Sequence, residues 1–126
     1  MVRSVFFLAA AIGLASPAWA ASAYTELLQH NFAATLNSNN NPKVPDDVEL
    51  KMLNCLAAAF ISANIPPSDL AKLDQAVAAH TIESDPLAGK YAMLAGDPGA
   101  LTRMSNEAAH LCPETLKAVK DAEASD

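Results

Sequence analysis

Prolines divide the chain into short segments and so limit the length of any helix or strand that it can form. Beyond residue 44 they stand at Pro45, Pro66–Pro67, Pro86, Pro98 and Pro113. Proline has no backbone N–H to donate and is tolerated only in the first turn of a helix. Each proline therefore predicts where one helix stops and the next starts. The apolar residues between the prolines recur at the intervals expected for helices.

The first two predicted helices carry the clearest apolar stripes. Residues 24–36 place Tyr24 and Phe32, with leucines between and after them, at helical intervals. Residues 45–64 begin with PDDVEL, whose acidic side chains suit the positive end of a helix, and they end at Asn64. Because this second segment is the most hydrophobic part of the chain after the N-terminal run, we expect it to be the central helix.

Helix-start and helix-stop residues predict three further helices. Ser68 is suited to an N-cap, and the helix that it starts runs to about His80. Asp-Pro pairs at 85–86 and 97–98 each combine a capping aspartate with a proline at the first helical position. Gly96 is placed to close the first of these two helices.

The predicted fold class is all-α, a small bundle of five to six short helices around an Ala/Leu core. No segment shows the alternating β-branched pattern of a strand. Cys112 ends the fifth helix, and one or two turns follow Pro113. The Asn-rich residues 37–43 are predicted to be a linker, and the acidic tail 121–126 is expected to fray.

The N-terminus has the layout of a secretory signal peptide over residues 1–20. A short basic start precedes an apolar run over residues 5–15, the helix-breaking Pro17 and a series of small residues. The apolar run is shorter than the roughly 20 residues that span a bilayer. We predict cleavage between Ala20 and Ala21, with cleavage after Ala23 as the alternative, and localisation in the periplasm or outside the cell.

Removal of the signal leaves residues 21–126, the size of one small domain. Without Arg3, seven Lys and Arg face fourteen Asp and Glu, a formal charge of −7. Nucleic acids and anionic membranes are bound through basic patches, so this charge argues against both as partners. No stable membrane anchor is expected after signal removal, because no later apolar run is long enough to stop transfer. It is compatible with a basic protein partner.

The two cysteines, Cys55 and Cys112, are predicted to form a disulfide. They stand 57 positions apart, and paired thiols oxidise in an exported protein. Closing a loop of this length stabilises a fold by roughly 4 kcal/mol. The cysteines have neither the Cys-x-x-Cys spacing of a redox motif nor the close companion ligands of a metal site. The predicted bond joins the second helix to the fifth.

The sequence predicts no catalytic residue, cofactor or metal site. It contains no phosphate-binding loop, dinucleotide fingerprint or haem-attachment motif. His30, His80 and His110 fall late in predicted helices, where a cation interacts favourably with the helix end. A Ser68–His80–Asp85 arrangement can be written on paper, but such triads are defined by geometry. Three histidines also allow a response to mild acid.

In outline, the chain is similar to the small periplasmic acid-stress chaperones of the HdeA type. The shared features are a signal peptide, a helical chain of this size and two widely spaced cysteines. The chain differs in its longer spacing between cysteines, in lacking an aromatic residue beside Cys55 and in its acidic tail. It also resembles periplasmic immunity proteins against secreted cell-wall hydrolases in size, helicity and disulfide. No residue role is carried over from either family.

The function predicted from these features is that of a small exported, non-enzymatic protein that binds another protein, as an inhibitor, an immunity-type protein or an accessory factor. Two alternatives stay open. A periplasmic stress chaperone would expose the apolar faces around Leu53, Leu56 and Phe60 in acid and bind many clients. A small-ligand-binding protein would need a pocket between its helices.

Overall fold

The computed structural model describes residues 22–36 and 43–124. Within these ranges the chain forms six α-helices and one 3-10 helix but no strand, which confirms the predicted all-α bundle. The α-helices are α1 Ala23–Ala33, α2 Asp46–Asn64, α3 Pro67–Ala78, α4 Pro86–Leu94, α5 Pro98–Leu111 and α6 Pro113–Ala124. The 3-10 helix, Ile82–Ser84, lies between α3 and α4. None of these helices is long and apolar enough to cross a membrane.

The predicted Asp-Pro helix starts are both present. The Asp85 carboxylate accepts the N–H of Leu87 at 2.8 Å, and the Asp97 carboxylate accepts the N–H of Ala100 at 3.0 Å. A proline follows each aspartate at the first helical position. The N–H of the first helical residue has no hydrogen-bond partner within the helix, so a proline there loses no bond. Each Asp-Pro pair therefore sets the start of its helix, α4 or α5.

The prediction that Ser68 caps α3 is wrong. The helix begins two residues earlier than that cap implies, at Pro67, with Pro66 in the N-cap position and no side-chain cap. The fixed φ of Pro67 suits the first helical position, and its missing N–H leaves no donor to satisfy there. Ser68 and Asp69 consequently lie in the first turn of the helix.

The end of α3 is also earlier than predicted. The helix stops at Ala78, and His80 adopts the left-handed conformation with φ 59°. The N–H of Thr81 donates to the carbonyl of Ala76 at 2.9 Å, and that of His80 to Val77 at 3.1 Å. These two bonds are the Schellman closure of a helix, in which the left-handed residue is usually glycine. His80 therefore terminates the helix instead of belonging to it.

Two other helix ends differ from the prediction. The helix α4 stops at Leu94 with a right-handed cap at Ala95, and no glycine in the described ranges has a positive φ. Gly96 instead lies in a turn in which the N–H of Asp97 donates to the carbonyl of Leu94 at 2.9 Å. Near the other end of the chain, the predicted first helix runs to residue 36, whereas α1 stops at Ala33 and is followed by a turn.

The central position of α2, predicted from its hydrophobicity, is confirmed. This helix packs against α1, α5 and α6. Ala57 and Ala59 of α2, and Ala100 and Ala108 of α5, are all fully buried. The distance between packed helices depends on the side chains at the contact, and methyl groups allow a close approach. Ala59 and Ala108 meet in one buried cluster between α2 and α5, so this contact accounts for part of the alanine-rich composition.

The main hydrophobic core connects the first five helices. It is formed by Tyr24, Phe60, Ile61, Ile65, Leu70, Leu73, Tyr91 and Ala100. Apart from Ala100, every member carries a large aliphatic or aromatic side chain, so this cluster contains most of the buried apolar area of the domain. Its members come from segments far apart in the sequence, which is why periodicity within one segment does not reveal their contacts.

A smaller core surrounds the disulfide. Cys55, Ala59 and Ala108 are its buried members, and the Cα atoms of Cys55 and Cys112 are 6.4 Å apart. The bond connects the middle of α2 to the C-terminal cap of α5, which confirms the predicted crosslink between the second and fifth helices. Because alanine and cysteine side chains bury little area, this end of the bundle depends on the covalent link more than the main core does.

The last helix, α6, is longer than the predicted one or two turns. Val119 is buried and Leu116 packs against the disulfide cluster, and these contacts hold an otherwise polar helix in place. Residues 121–124 of the acidic tail, which composition alone predicts to fray, continue α6, and the Lys43 ammonium donates to the carbonyl of Glu123 at 3.5 Å. Residues 125–126 lie outside the described part.

Glu49 in the first turns of α2 is unexpectedly buried. Its side chain is only 5% exposed, and no hydrogen bond or ion pair to it comes from the part of the chain that the structure describes. Burying a carboxylate without a partner is unfavourable, although the positive end of α2 offsets part of that penalty. The sequence predicts Glu49 only as a helix-end charge and gives no sign of its burial.

We therefore expect Glu49→Gln to raise the free energy of unfolding by about 1 kcal/mol, since it removes the buried charge and keeps the shape of the side chain. Urea unfolding followed by circular dichroism measures the change. The matched control is Asp47→Asn, an exposed acid in the same turn, which should leave stability within about 0.5 kcal/mol. If Glu49→Gln lowered the free energy of unfolding, the negative charge of Glu49 would instead stabilise the fold.

Candidate functional site: an apolar groove between α1 and α4

A half-open groove of about 370 Å³ lies between α1, the 3-10 helix and α4. Leu27, Leu28 and Phe32 of α1 form one wall, and the side chain of Phe60 reaches it from α2. Its surface is mostly apolar, and its volume is in the range of roughly 300–1,000 Å³ that is usual for ligand sites. These properties make the groove the candidate functional site.

The inner surface of the groove belongs to the rigid core. Tyr24, Phe60 and Tyr91 are each at most 6% exposed and are members of the main cluster. The backbone N–H of Tyr24 donates to the Asp74 carboxylate at 2.8 Å, which ties the start of α1 to α3. Since core side chains cannot easily move, the groove is formed before any occupant arrives.

Small residues on α4 keep the groove open. Ala88, Ala92 and Ala95 recur along the helix at helical spacing, and Gly89 lies beside them. A methyl group built on Gly89 would meet no atom within 4 Å. Larger side chains at these positions would fill the space, so the groove exists because α4 presents a strip of small residues to α1.

Among the described residues, one charged group lines the groove, the carboxylate of Glu83 on the 3-10 helix, and the amide side chain of Asn31 also lines it. Of the other charged residues on the bordering segments, Glu26 and Asp85 are acidic and Lys90 is basic, and none of these three lines the groove. The Lys90 ammonium lies 5.2 Å from the centroid of the Tyr91 ring, in cation–π contact. An apolar surface with one carboxylate in its lining, on a chain of negative net charge, favours an apolar occupant with basic flanks.

Tyr91 connects the groove to α3. Its hydroxyl donates to the Asp69 carboxylate at 2.6 Å. Burial, this hydrogen bond and the negative charge of Asp69 together raise the pKa of Tyr91 from 10.0 to about 12, and burial also raises the pKa of Tyr24. Both phenols are consequently neutral at physiological pH and act as apolar walls with one polar end.

We expect the raised pKa of Tyr91 to make the fold less stable in alkali. Its folded pKa lies above the unfolded value, so its contribution is complete below pH 10 and is lost as the pH rises from 10.0 towards 12. The free energy of unfolding should fall by about 1.4 kcal/mol per pH unit in that range from this group alone. Urea unfolding at several pH values measures the slope, and Tyr91→Phe should reduce it. An identical slope in the variant would contradict the assignment.

The remaining predicted site residues are placed as follows. Cys55 and Cys112 come together in the disulfide. His30 and His110 lie in the last turns of α1 and α5, and Nδ1 of His110 is 3.0 Å from the carbonyl of Asn106. No group of three His, Cys, Asp or Glu residues suited to a metal ion occurs in the ranges 22–36 and 43–124. The histidines therefore have helix-end positions in two cases and a helix-closing position at His80.

Several predictions concern residues for which the structure makes no statement. The signal peptide, its cleavage between Ala20 and Ala21, and residues 37–42 of the linker lie outside the described residues. The first described residue, Ser22, accepts the N–H of Thr25 at 3.0 Å and so caps α1. Cleavage between Ala20 and Ala21 would leave this cap in place.

Comparisons with protein-family models, with characterised proteins and with solved structures find no match to this chain. The groove and the fold are therefore interpreted from their own geometry.

Sequence reasoning missed most of the groove. It identified Leu27, Leu28 and Phe32 as one apolar stripe and Phe60 as part of the buried face of the second helix, which is confirmed for Phe60, but it did not predict that the four line one groove. The signal that was available is the spacing of Ala88, Ala92 and Ala95, which places three small residues on one side of α4. That spacing alone does not distinguish a close helix contact from an open groove.

Proposed function

We propose that this protein is a small exported, non-enzymatic binding protein, of the inhibitor, immunity or accessory type, whose groove receives an apolar segment of another protein. The observation that carries the proposal is the half-open apolar groove of about 370 Å³, with the carboxylate of Glu83 in its lining. The signal-like N-terminus supports export, and the formal charge of −7 on residues 21–126 supports a basic partner. Nucleic acid and membrane lipid are not part of the proposal.

The occupant that best fits the groove is an amphipathic segment with basic flanking residues. Leucine or phenylalanine side chains of such a segment would contact Leu27, Phe32 and Phe60, which is the usual way that a helix binds in a groove. Lysine or arginine beside those anchors would lie near Glu83. Apolar contact would supply most of the affinity, and the charges would set orientation and association rate.

A direct binding experiment tests this proposal. Fluorescent helical peptides that share one leucine pattern but carry lysine, glutamate or uncharged polar residues are titrated with the oxidised protein. We expect the lysine peptide to bind most tightly. Its affinity should fall as the salt concentration is raised, because salt screens the surface charges. Equal binding of the lysine and glutamate peptides would contradict the charge argument, and no binding by any peptide would contradict the groove as a peptide site.

Matched tryptophan variants locate the binding site. Ala92→Trp places a large side chain in the groove from an exposed position. We expect it to lower the affinity for the lysine peptide by roughly tenfold or more. Ala118→Trp makes the same change at an exposed position of α6 and should leave affinity unchanged. Equal losses in both variants, or none in either, would place binding elsewhere on the surface.

Capture of secreted and periplasmic proteins then separates the versions of the function. One equimolar partner at neutral pH, lost in Ala92→Trp and kept in Ala118→Trp, agrees with an inhibitor or immunity protein. Many substoichiometric partners that appear only in acid would favour a stress chaperone. A small molecule that copurifies with the protein and is displaced by Ala92→Trp would favour the ligand-binding alternative.

A further inference from the structure

The disulfide lies at a second hollow of the surface, one that shares no residue with the groove. It has a volume of about 330 Å³ and is open to solvent. Both sulfur-bearing residues line it, together with Lys51 and Asn54 of α2 and Thr115 of α6. A small molecule in this hollow would be in contact with the disulfide, and this observation does not depend on the proposed function.

The two cysteines are not equally accessible. Cys55 is in the middle of α2 and is 9% exposed, at the limit of full burial. Cys112 is partly buried and occupies the junction where α5 ends and α6 begins. Thiol–disulfide exchange requires a thiolate to reach one of the two sulfur atoms, and access decides which one. An external thiolate therefore reaches Cys112 first.

The charges around this hollow suit an anionic thiol. Among the residues that the structure describes, Lys51 is the one charged residue that lines the hollow, whereas the chain as a whole carries fourteen acids. Lys51 precedes Cys55 by four residues, so both lie on one face of α2. Cys112 lies at the junction of two helices: its N–H donates to the carbonyl of Ala108 at the negative end of α5, and its carbonyl accepts the N–H of Leu116 at the positive end of α6, so the two helix ends oppose each other there. The ammonium of Lys51 therefore attracts an incoming thiolate and stabilises the thiolate that departs from Cys55.

We propose that this hollow is a thiol-exchange site at which a small anionic thiol modifies Cys112. The incoming thiolate attacks Sγ of Cys112 and forms a new S–S bond. The Cys55–Cys112 bond breaks, its electron pair leaves with Cys55 as a thiolate, and that thiolate then takes a proton from water. The exchange releases the junction of α5 and α6 from α2, and attack by Cys55 on the mixed disulfide reverses it.

Adduct mapping tests which sulfur is attacked. The oxidised protein is exposed briefly to reduced glutathione near pH 8, quenched in acid, alkylated at its free thiols and analysed by peptide mass spectrometry. We expect glutathione on Cys112 and the alkyl group on Cys55. Adducts divided equally between the cysteines, or found mainly on Cys55, would overturn the proposal. An exchange rate that rises with urea in parallel with global unfolding would also overturn it, since the hollow would then play no part.

Charge reversal tests the role of Lys51. We compare the exchange rate of anionic glutathione with that of cationic cysteamine, because the ratio of the two rates cancels changes in stability. Lys51→Glu should lower the glutathione-to-cysteamine ratio by roughly three- to tenfold. Lys72→Glu makes the same charge change at an exposed position of α3 and should leave the ratio unchanged. A ratio that is equal in the wild type and in Lys51→Glu would show that the hollow does not select anionic thiols.

Discussion

Replacing both Cys55 and Cys112 by alanine is expected to lower the free energy of unfolding by about 4 kcal/mol. The cysteines are 57 positions apart, and opening a loop of that length restores a large conformational entropy to the unfolded chain. Domains of this size have a total stability of roughly 5–15 kcal/mol. The loss therefore removes much of the stability and leaves a fold that unfolds at low urea concentration.

The surroundings of the disulfide strengthen this expectation. Its cluster contains Ala59 and Ala108 as its other buried members, so there is little apolar area to keep the C-terminal end of α5 and the start of α6 on α2 once the bond is gone. Urea unfolding followed by circular dichroism measures the effect. The wild type treated with reductant is the matched control, and its midpoint should agree with that of the double alanine variant. A variant as stable as the oxidised wild type would contradict the prediction.

Leu73→Ala is expected to lower the free energy of unfolding by about 3 kcal/mol. Leu73 of α3 is fully buried in the main core, where α1, α2, α4 and α5 also contribute side chains. The substitution removes apolar contacts and leaves a cavity that a core formed by five helices cannot easily collapse to fill. Leu73 does not line the groove, so peptide binding by the folded variant should be unchanged.

The control for this prediction is another leucine in a helix. Leu50 of α2 is 38% exposed, and Leu50→Ala should lower stability by about 1 kcal/mol or less. Both variants are compared by urea unfolding and by thermal melts. If the two substitutions had the same effect, the core would not be centred on Leu73. If Leu73→Ala changed peptide affinity while remaining folded, the groove would extend further into the core than the structure indicates.

The sequence predicts the helices of this protein well because their starts have local causes. The Asp-Pro pairs at residues 85–86 and 97–98 act through one side chain and one missing N–H, both visible in the sequence. Helix ends were harder to predict. His80 closes α3 in a left-handed conformation that glycine usually supplies, and only the contacts of the following 3-10 helix and α4 show why the chain turns there.

The candidate site was much less predictable. The groove requires Leu27 and Phe32 of α1 to face Ala88 and Ala92 of α4, across a separation of more than fifty residues. Apolar periodicity shows which residues become buried, but it does not show which other residues they contact. The burial of Glu49 is a similar case, since its position in the first turns of α2 predicts an exposed helix-end charge.

The sequence by itself determined that this chain forms short helices, that α2 is central and that Cys55 and Cys112 are paired, because proline chemistry, hydrophobicity and cysteine count act within single segments or need no geometry. Only the tertiary structure decided that α4 stands away from α1 to leave a groove, and that the disulfide opens onto a hollow beside Lys51. Both features depend on how helices distant in sequence are placed, and that placement is set by the packing of the whole core.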